Sequence, residues 1–153
     1  MIGVIGGTGL RKIEGLNITN ESLVDTPYGK PSDKIIIGKL DNRDVAFLPR
    51  HGDGHTIPPH LINYRANIYA LNTLGVKAIF GIATVGSIPI AINPGSIVFP
   101  HQIIDYTYDR DHTFFDRIKN PVSHIDFTSP YNAKLRELLC KNSSLEDMNF
   151  VKE

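Results

Sequence analysis

The sequence reads as an α/β protein with a mixed central β-sheet flanked by helices. Three observations predict this. The chain opens with Gly3-Val4-Ile5-Gly6-Gly7-Thr8-Gly9-Leu10, a short apolar run that turns on glycines, as a buried strand does when it feeds a tight loop. Two further runs, Lys34 to Leu40 and Asp44 to Leu48, flank Asp41-Asn42-Arg43, which is the signal of an antiparallel hairpin. A helical stripe from about His60 to Thr73 then precedes a third apolar run, Val76 to Thr84.

Each element has its own warrant. Leu10 to Leu16 is a turn of helix or an irregular link, and Val24 to Pro31 is a loop rich in breakers. Pro49 to His60 carries glycines and prolines that exclude regular structure, and it sits at a strand end, where α/β folds place their sites. The helix after it is apolar at Leu61, Tyr64, Ile68 and Leu71, with Pro58 and Pro59 suited to its start and Gly75 to its end. Val76 to Thr84 is apolar almost without interruption, which predicts burial on both faces in the middle of a sheet. Asn93-Pro94-Gly95 is a turn. Ser96 to Pro100 and Gln102 to Tyr106 read as strand with a proline break, and Asp109 to Asn120 is irregular. A last helix is expected from Pro130 to about Lys141, and Asn142 to Glu153 has little pattern. Residues 1–153 are expected to be one portion of a single domain with no linker, leaving strand edges and apolar faces open.

Composition narrows the function. Sixteen basic and sixteen acidic residues cancel, which argues against coating nucleic acid or binding a membrane surface. The single cysteine, Cys140, forms no internal disulfide and follows Leu138-Leu139, so it reads as a small buried hydrophobe in a cytoplasmic protein. No stretch reaches membrane-spanning length and no basic-then-apolar leader opens the chain.

The candidate chemistry lies in three strand-end loops. Gly6-Gly7-Thr8-Gly9 offers bare N–H groups and a hydroxyl, suited to an anion, although a tight turn without a ligand fits the same residues. A dinucleotide fingerprint fails at Lys12, where its third glycine belongs, and no Gly-Lys-Ser/Thr closes a nucleotide loop. Arg50 presents a rigid fork of donors beside His51, a pairing that serves a phosphate or a plain surface cap equally well. His51, His55 and His60 lack the spacing and the carboxylates of a metal site. Thr84-Val85-Gly86-Ser87 lacks the Gly-x-Ser-x-Gly of a nucleophile turn and reads better as a second donor-rich turn for the same anion. Phe114-Phe115 fits core or interface, and His124 by itself says nothing. Convergence of the three loops favours an anion site.

At these residues the sequence resembles the purine nucleoside phosphorylase family, in its methylthioadenosine and S-methyl-5′-thioinosine phosphorylase branch. The resemblance rests on Ile5 to Leu10, Thr26 to Gly29, Phe47 to Gly52, Ile57 to His60, Asn63 to Ile68, Ala83 to Ser87, Pro94 to Ser96, Pro100 to Thr107 and His124 to Asp126. It implies phosphorolysis of a 5′-methylthio purine nucleoside, with inorganic phosphate attacking C1′ and the purine leaving, in purine and methionine salvage. Phosphate is then a co-substrate, and no metal or organic cofactor is implied. Thr8, Arg50 and His51 would bind the phosphate, Ala83 and Thr84 would add donors, and His124 would reach the neighbour's 5′-alkylthio pocket in a homotrimer. Ala83 stands where a hydroxyl or amide is often found, and Thr84 where alanine is common. Ser96 and His101 replace acids often seen there. The family's members are nearly twice as long, and the remaining part carries the ribose methionine, another phosphate threonine and the purine-holding residues. The 153 residues alone are therefore expected to be inactive, either as part of a phosphorylase or as a phosphate-binding or subunit-packing remnant.

Overall fold

Five strands form the main sheet: β1 (Ile2–Gly6), β2 (Asn17–Ser22), β3 (Ile35–Leu40), β4 (Arg43–Pro49) and β5 (Ala78–Gly81). Their spatial order is β2-β3-β4-β1-β5. The computed structural model describes residues 1–7, 13–111, 113–116, 123–146 and 148–152. These form two compact units, Met1–Thr84 with Asp109–Arg117, and Val85–Tyr108 with Ile118–Glu153.

In the first unit the expected hairpin is β3–β4, antiparallel, with Leu40 opposite Arg43. Asp41 and Asn42 turn it at φ 46° and 63°, left-handed values that these two residue types accept and that match the strand twist. β1 runs parallel to both β4 and β5, so the sheet is mixed. Helix α1 (Tyr64–Thr73) lies between β4 and β5 in sequence, as a parallel connection requires. It begins later than His60. Pro59–Leu61 make a separate 3₁₀ turn, and the Asn63 side chain caps the helix by accepting from the Ala66 N–H at 3.0 Å. It ends at Gly75, φ 80°, whose N–H donates to the Asn72 carbonyl.

Ala70 and Leu71 of α1 pack with Ile35, Ala46, Leu48 and Val76 into the core. Burying each large aliphatic contributes about 1.5–3 kcal/mol. Within β4, the middle strand of the five, Val45, Ala46, Phe47 and Leu48 are all buried.

Three expectations are corrected here. The Val76 to Thr84 run does not occupy the sheet centre: β5 is the last strand in order and its Ala78, Ile79 and Phe80 are only half-buried. An apolar run signals that a strand has faces to cover, and among the described residues nothing pairs with β5 on its outer side. Gln102 to Tyr106 is not a strand. β2 was not expected, because Asn-Ile-Thr-Asn-Glu-Ser has one large apolar residue. It lies at the other edge against β3, where Gly38 leaves room for the Asn17 carbonyl.

The second unit holds a two-stranded parallel sheet of β6 (Ile97–Phe99) and β7 (Phe150–Lys152), with α2 (Ala133–Leu145) between them in sequence. Phe99 and Phe150 meet with ring centroids 5.7 Å apart, and Arg136 Nε donates to the Phe99 carbonyl at 2.9 Å. The helix lies a few residues downstream of its expected Pro130–Lys141 span, because Asn132 caps it by accepting from the Leu135 N–H. Cys140 is buried, as read from the sequence. Among the described residues no helix is long and apolar enough to cross a membrane.

Candidate functional site: an anion cradle at three strand ends

The parallel pairing of β1 with β4 and β5 brings the carboxyl ends of all three to one edge. Gly6 lies opposite Pro49, and Ile5 opposite Gly81. The pairing continues one step past the strands, with Arg50 N–H donating to the Gly6 carbonyl at 2.8 Å and Ile82 N–H to the Ile5 carbonyl at 2.9 Å.

Arg50 crosses this edge. Its Nη1 donates to the Ile82 carbonyl at 3.2 Å, on the far side of β1 from its own strand. Its Nη2 lies beside Gly7, where an added Cβ would stand 3.3 Å away. A side chain at position 7 would crowd the guanidinium, so glycine here serves close approach. Nη2 makes no hydrogen bond among the described residues. Nε points at His51 Nε2 from 3.5 Å, at the limit of a hydrogen bond.

His51 is oriented from its other nitrogen, Nδ1, which lies 2.9 Å from the Ile57 carbonyl. The same two residues also meet through their backbones, the Ile57 N–H donating to the His51 carbonyl at 2.9 Å. Gly52, at φ 71°, makes the turn that this closure needs. The His55 ring stacks on His51 with centroids 4.3 Å apart.

Behind the loop stands a network that the sequence did not disclose. Asn67 of α1 is buried, accepts from the Ser32 N–H at 2.7 Å and donates to Ser32 Oγ at 2.9 Å. Ser32 packs its carbonyl against Gly52, and Asp33 accepts from the Asp53 N–H. Asn63, one helical turn earlier, donates to the Tyr28 carbonyl at 2.7 Å. An amide repeated at i and i+4 on the buried side of a helix is the sequence signal for such holding residues.

The remaining candidates fall out as follows. Thr8 and Lys12 lie outside the described residues. Ala83 and Thr84 follow β5 as exposed residues just beyond Ile82, the residue that Arg50 holds. His124 lies in the second unit, exposed in a stretch with no regular secondary structure. Two residues on, the Thr128 hydroxyl and then the Thr128 N–H donate to Asp126, which holds that carboxyl below its usual value. Among the described residues no three His, Cys, Asp or Glu side chains gather as a metal site.

Residues 1–152 match the family described as the phosphorylase superfamily. The chain belongs to the phosphorylase superfamily. It is 47% identical over 147 residues to a probable S-methyl-5′-thioinosine phosphorylase of Pseudomonas syringae pv. tomato, covering 96% of this chain and 60% of the relative. It is 50% identical over 136 residues to an S-methyl-5′-thioadenosine phosphorylase of Hyperthermus butylicus, covering 89% of this chain and 49% of that protein. Among solved structures, a methylthioadenosine phosphorylase from an antarctic soil metagenomic library superposes with a TM-score of 0.89 at 39% identity, over 99% of this chain and 52% of that one. This phosphorylase-superfamily chain thus spans about half to three-fifths of the length of the relatives it matches.

Proposed function

We propose that this chain supplies the phosphate-holding half of a phosphorylase acting on 5′-methylthio purine nucleosides, yielding free purine and 5-methylthioribose 1-phosphate. The observation that carries the proposal is the Arg50 guanidinium spanning the ends of β4, β1 and β5, with Nη2 left beside Gly7. A fixed fork of charge at a backbone-lined strand edge suits a tetrahedral oxyanion. The names of the relatives add the substrate class.

On this reading Arg50 and His51, with Thr8, Ala83 and Thr84, hold phosphate beneath C1′ while the ribose develops positive charge. Catalysis is then positioning and electrostatic stabilisation, without a covalent enzyme intermediate. Phosphate is a co-substrate and no other cofactor takes part. His124 contributes to a neighbouring subunit's substrate pocket in a homotrimer, and the enzyme works in cytoplasmic salvage.

The test is release of base from methylthioinosine, methylthioadenosine and inosine, with and without phosphate. Phosphate-dependent release by the protein that carries this chain is the expected result. Release that ignores phosphate would point to a hydrolase and overturn the reading. The 153 residues alone are expected to bind phosphate without turnover, so turnover by them would refute the division of labour.

A further inference from the structure

The hydrogen bonds of His51 fix which of its nitrogens can donate. The Ile57 carbonyl accepts only, so Nδ1, 2.9 Å from it, carries the proton. In the neutral ring Nε2 then presents a lone pair, and the Arg50 Nε–H directed at it from 3.5 Å agrees with that polarity. The Nε–H and Nη2–H bonds of a guanidinium run side by side along one edge, the edge that takes an oxyanion in two parallel hydrogen bonds. Nη1 is already engaged with the Ile82 carbonyl, so this second edge, between Gly7 and His51, is the one that remains. An anion seated there sets an oxygen against the Nε2 lone pair.

Two acceptors cannot face each other without a proton between them. We propose that His51 Nε2 accepts a hydrogen bond from a hydroxyl of the bound anion, so that the cradle selects a protonated oxyanion such as hydrogenphosphate over one with no proton to give. This inference rests on the phosphate-site reading above and assigns His51 as its specificity residue. The titratable groups that meet the ring are Arg50, whose Nε lies 3.5 Å from Nε2, and His55, stacked on it. No proton is transferred in this step; a P–O–H bond donates and stays intact.

The probes are inorganic phosphate, sulfate and monofluorophosphate, titrated calorimetrically into the 153-residue chain at about pH 8, where an ordinary histidine is neutral. Only phosphate carries a hydroxyl under these conditions. An unmade hydrogen bond facing a lone pair predicts phosphate tighter than either other anion by about 10-fold or more. His51→Gln, whose amide can turn either group to the ligand, should bring the three anions to within about 3-fold of each other. A nitrogen-15 spectrum of the unliganded protein should show the proton of His51 on Nδ1. Sulfate binding as tightly as phosphate, an undiminished gap in His51→Gln, or a proton on Nε2 would each overturn the assignment. Arg50→Ala separates the two levels. If phosphate does not bind, or binds independently of Arg50, the site itself is refuted. If all three anions bind alike and depend on Arg50, only the role of His51 falls.

Discussion

Replacing Asn67 by alanine should loosen the fold and the site together, by amounts that can be worked out. The substitution removes an acceptor 2.7 Å from the Ser32 N–H and a donor 2.9 Å from Ser32 Oγ. Each bond contributes about 1 kcal/mol net, and the deserted Ser32 N–H adds part of a desolvation penalty. The expected loss is about 2–3 kcal/mol. With a urea m-value of about 1–3 kcal/mol per molar, the unfolding midpoint should fall by about 0.7–3 M. Ser32→Ala removes only the Oγ partner and should cost about 1 kcal/mol, and the double variant should show a coupling near 1 kcal/mol. The Ser32 carbonyl backs Gly52 and Asp33 holds the Asp53 N–H, so phosphate affinity should also drop several-fold although Asn67 lies behind the loop. A midpoint shift under about 0.3 M, or additive single variants, would refute the claim that Asn67 ties α1 to the site loop.

The other predictions concern single contacts. Gly52→Ala forces a Cβ at φ 71°, 3.1 Å from Thr56 Oγ1 and 3.2 Å from the Ser32 carbonyl; it should cost about 1–2 kcal/mol in thermal unfolding and weaken phosphate binding. Arg50→Lys keeps the charge but cannot hold the Ile82 carbonyl and an anion together, and calorimetry should show phosphate affinity reduced about 10-fold or more. Gly38→Ala sets a Cβ 2.6 Å from the Asn17 carbonyl, so hydrogen exchange in β2 should accelerate while the core of α1 stays protected. Asp126 should titrate below an ordinary aspartate by carbon-13 NMR, and Thr128→Ala should move it upward. Its lowered folded value means that the contribution is present above the unfolded value and is lost as pH falls through the folded one.

How much of this was legible depends on the range over which each signal acts. The β3–β4 hairpin was readable because Asp41-Asn42 are local and chemically suited to left-handed turns. The Pro49–His60 loop was readable because glycine and proline punctuate the chain whatever surrounds them. The place of β5 was not, because an apolar run cannot say which strands cover it. β2 was hidden because a polar edge strand is specified by its partner, here the gap over Gly38. Arg50 and His51 were visible as residue types, but the reach to Ile82 and the direction of the Nδ1 bond belong to side chains and parallel register. Asn67 was visible as a letter only, since its partner lies 35 residues upstream.

The parallel register of β1 also governs when the cradle can exist during synthesis. Ile2 is made well before its neighbours in the sheet, Val45 and Ala78. The opening strand must wait for both, while the β3–β4 hairpin can close as soon as it emerges. The end of β1 therefore gains its Arg50 and Ile82 neighbours only after most of the first unit is synthesised, and until then an apolar strand stands unpaired. Slow, late docking of β1, and sensitivity of the nascent chain to aggregation, are built into the same pairing that gathers three strand ends at one edge.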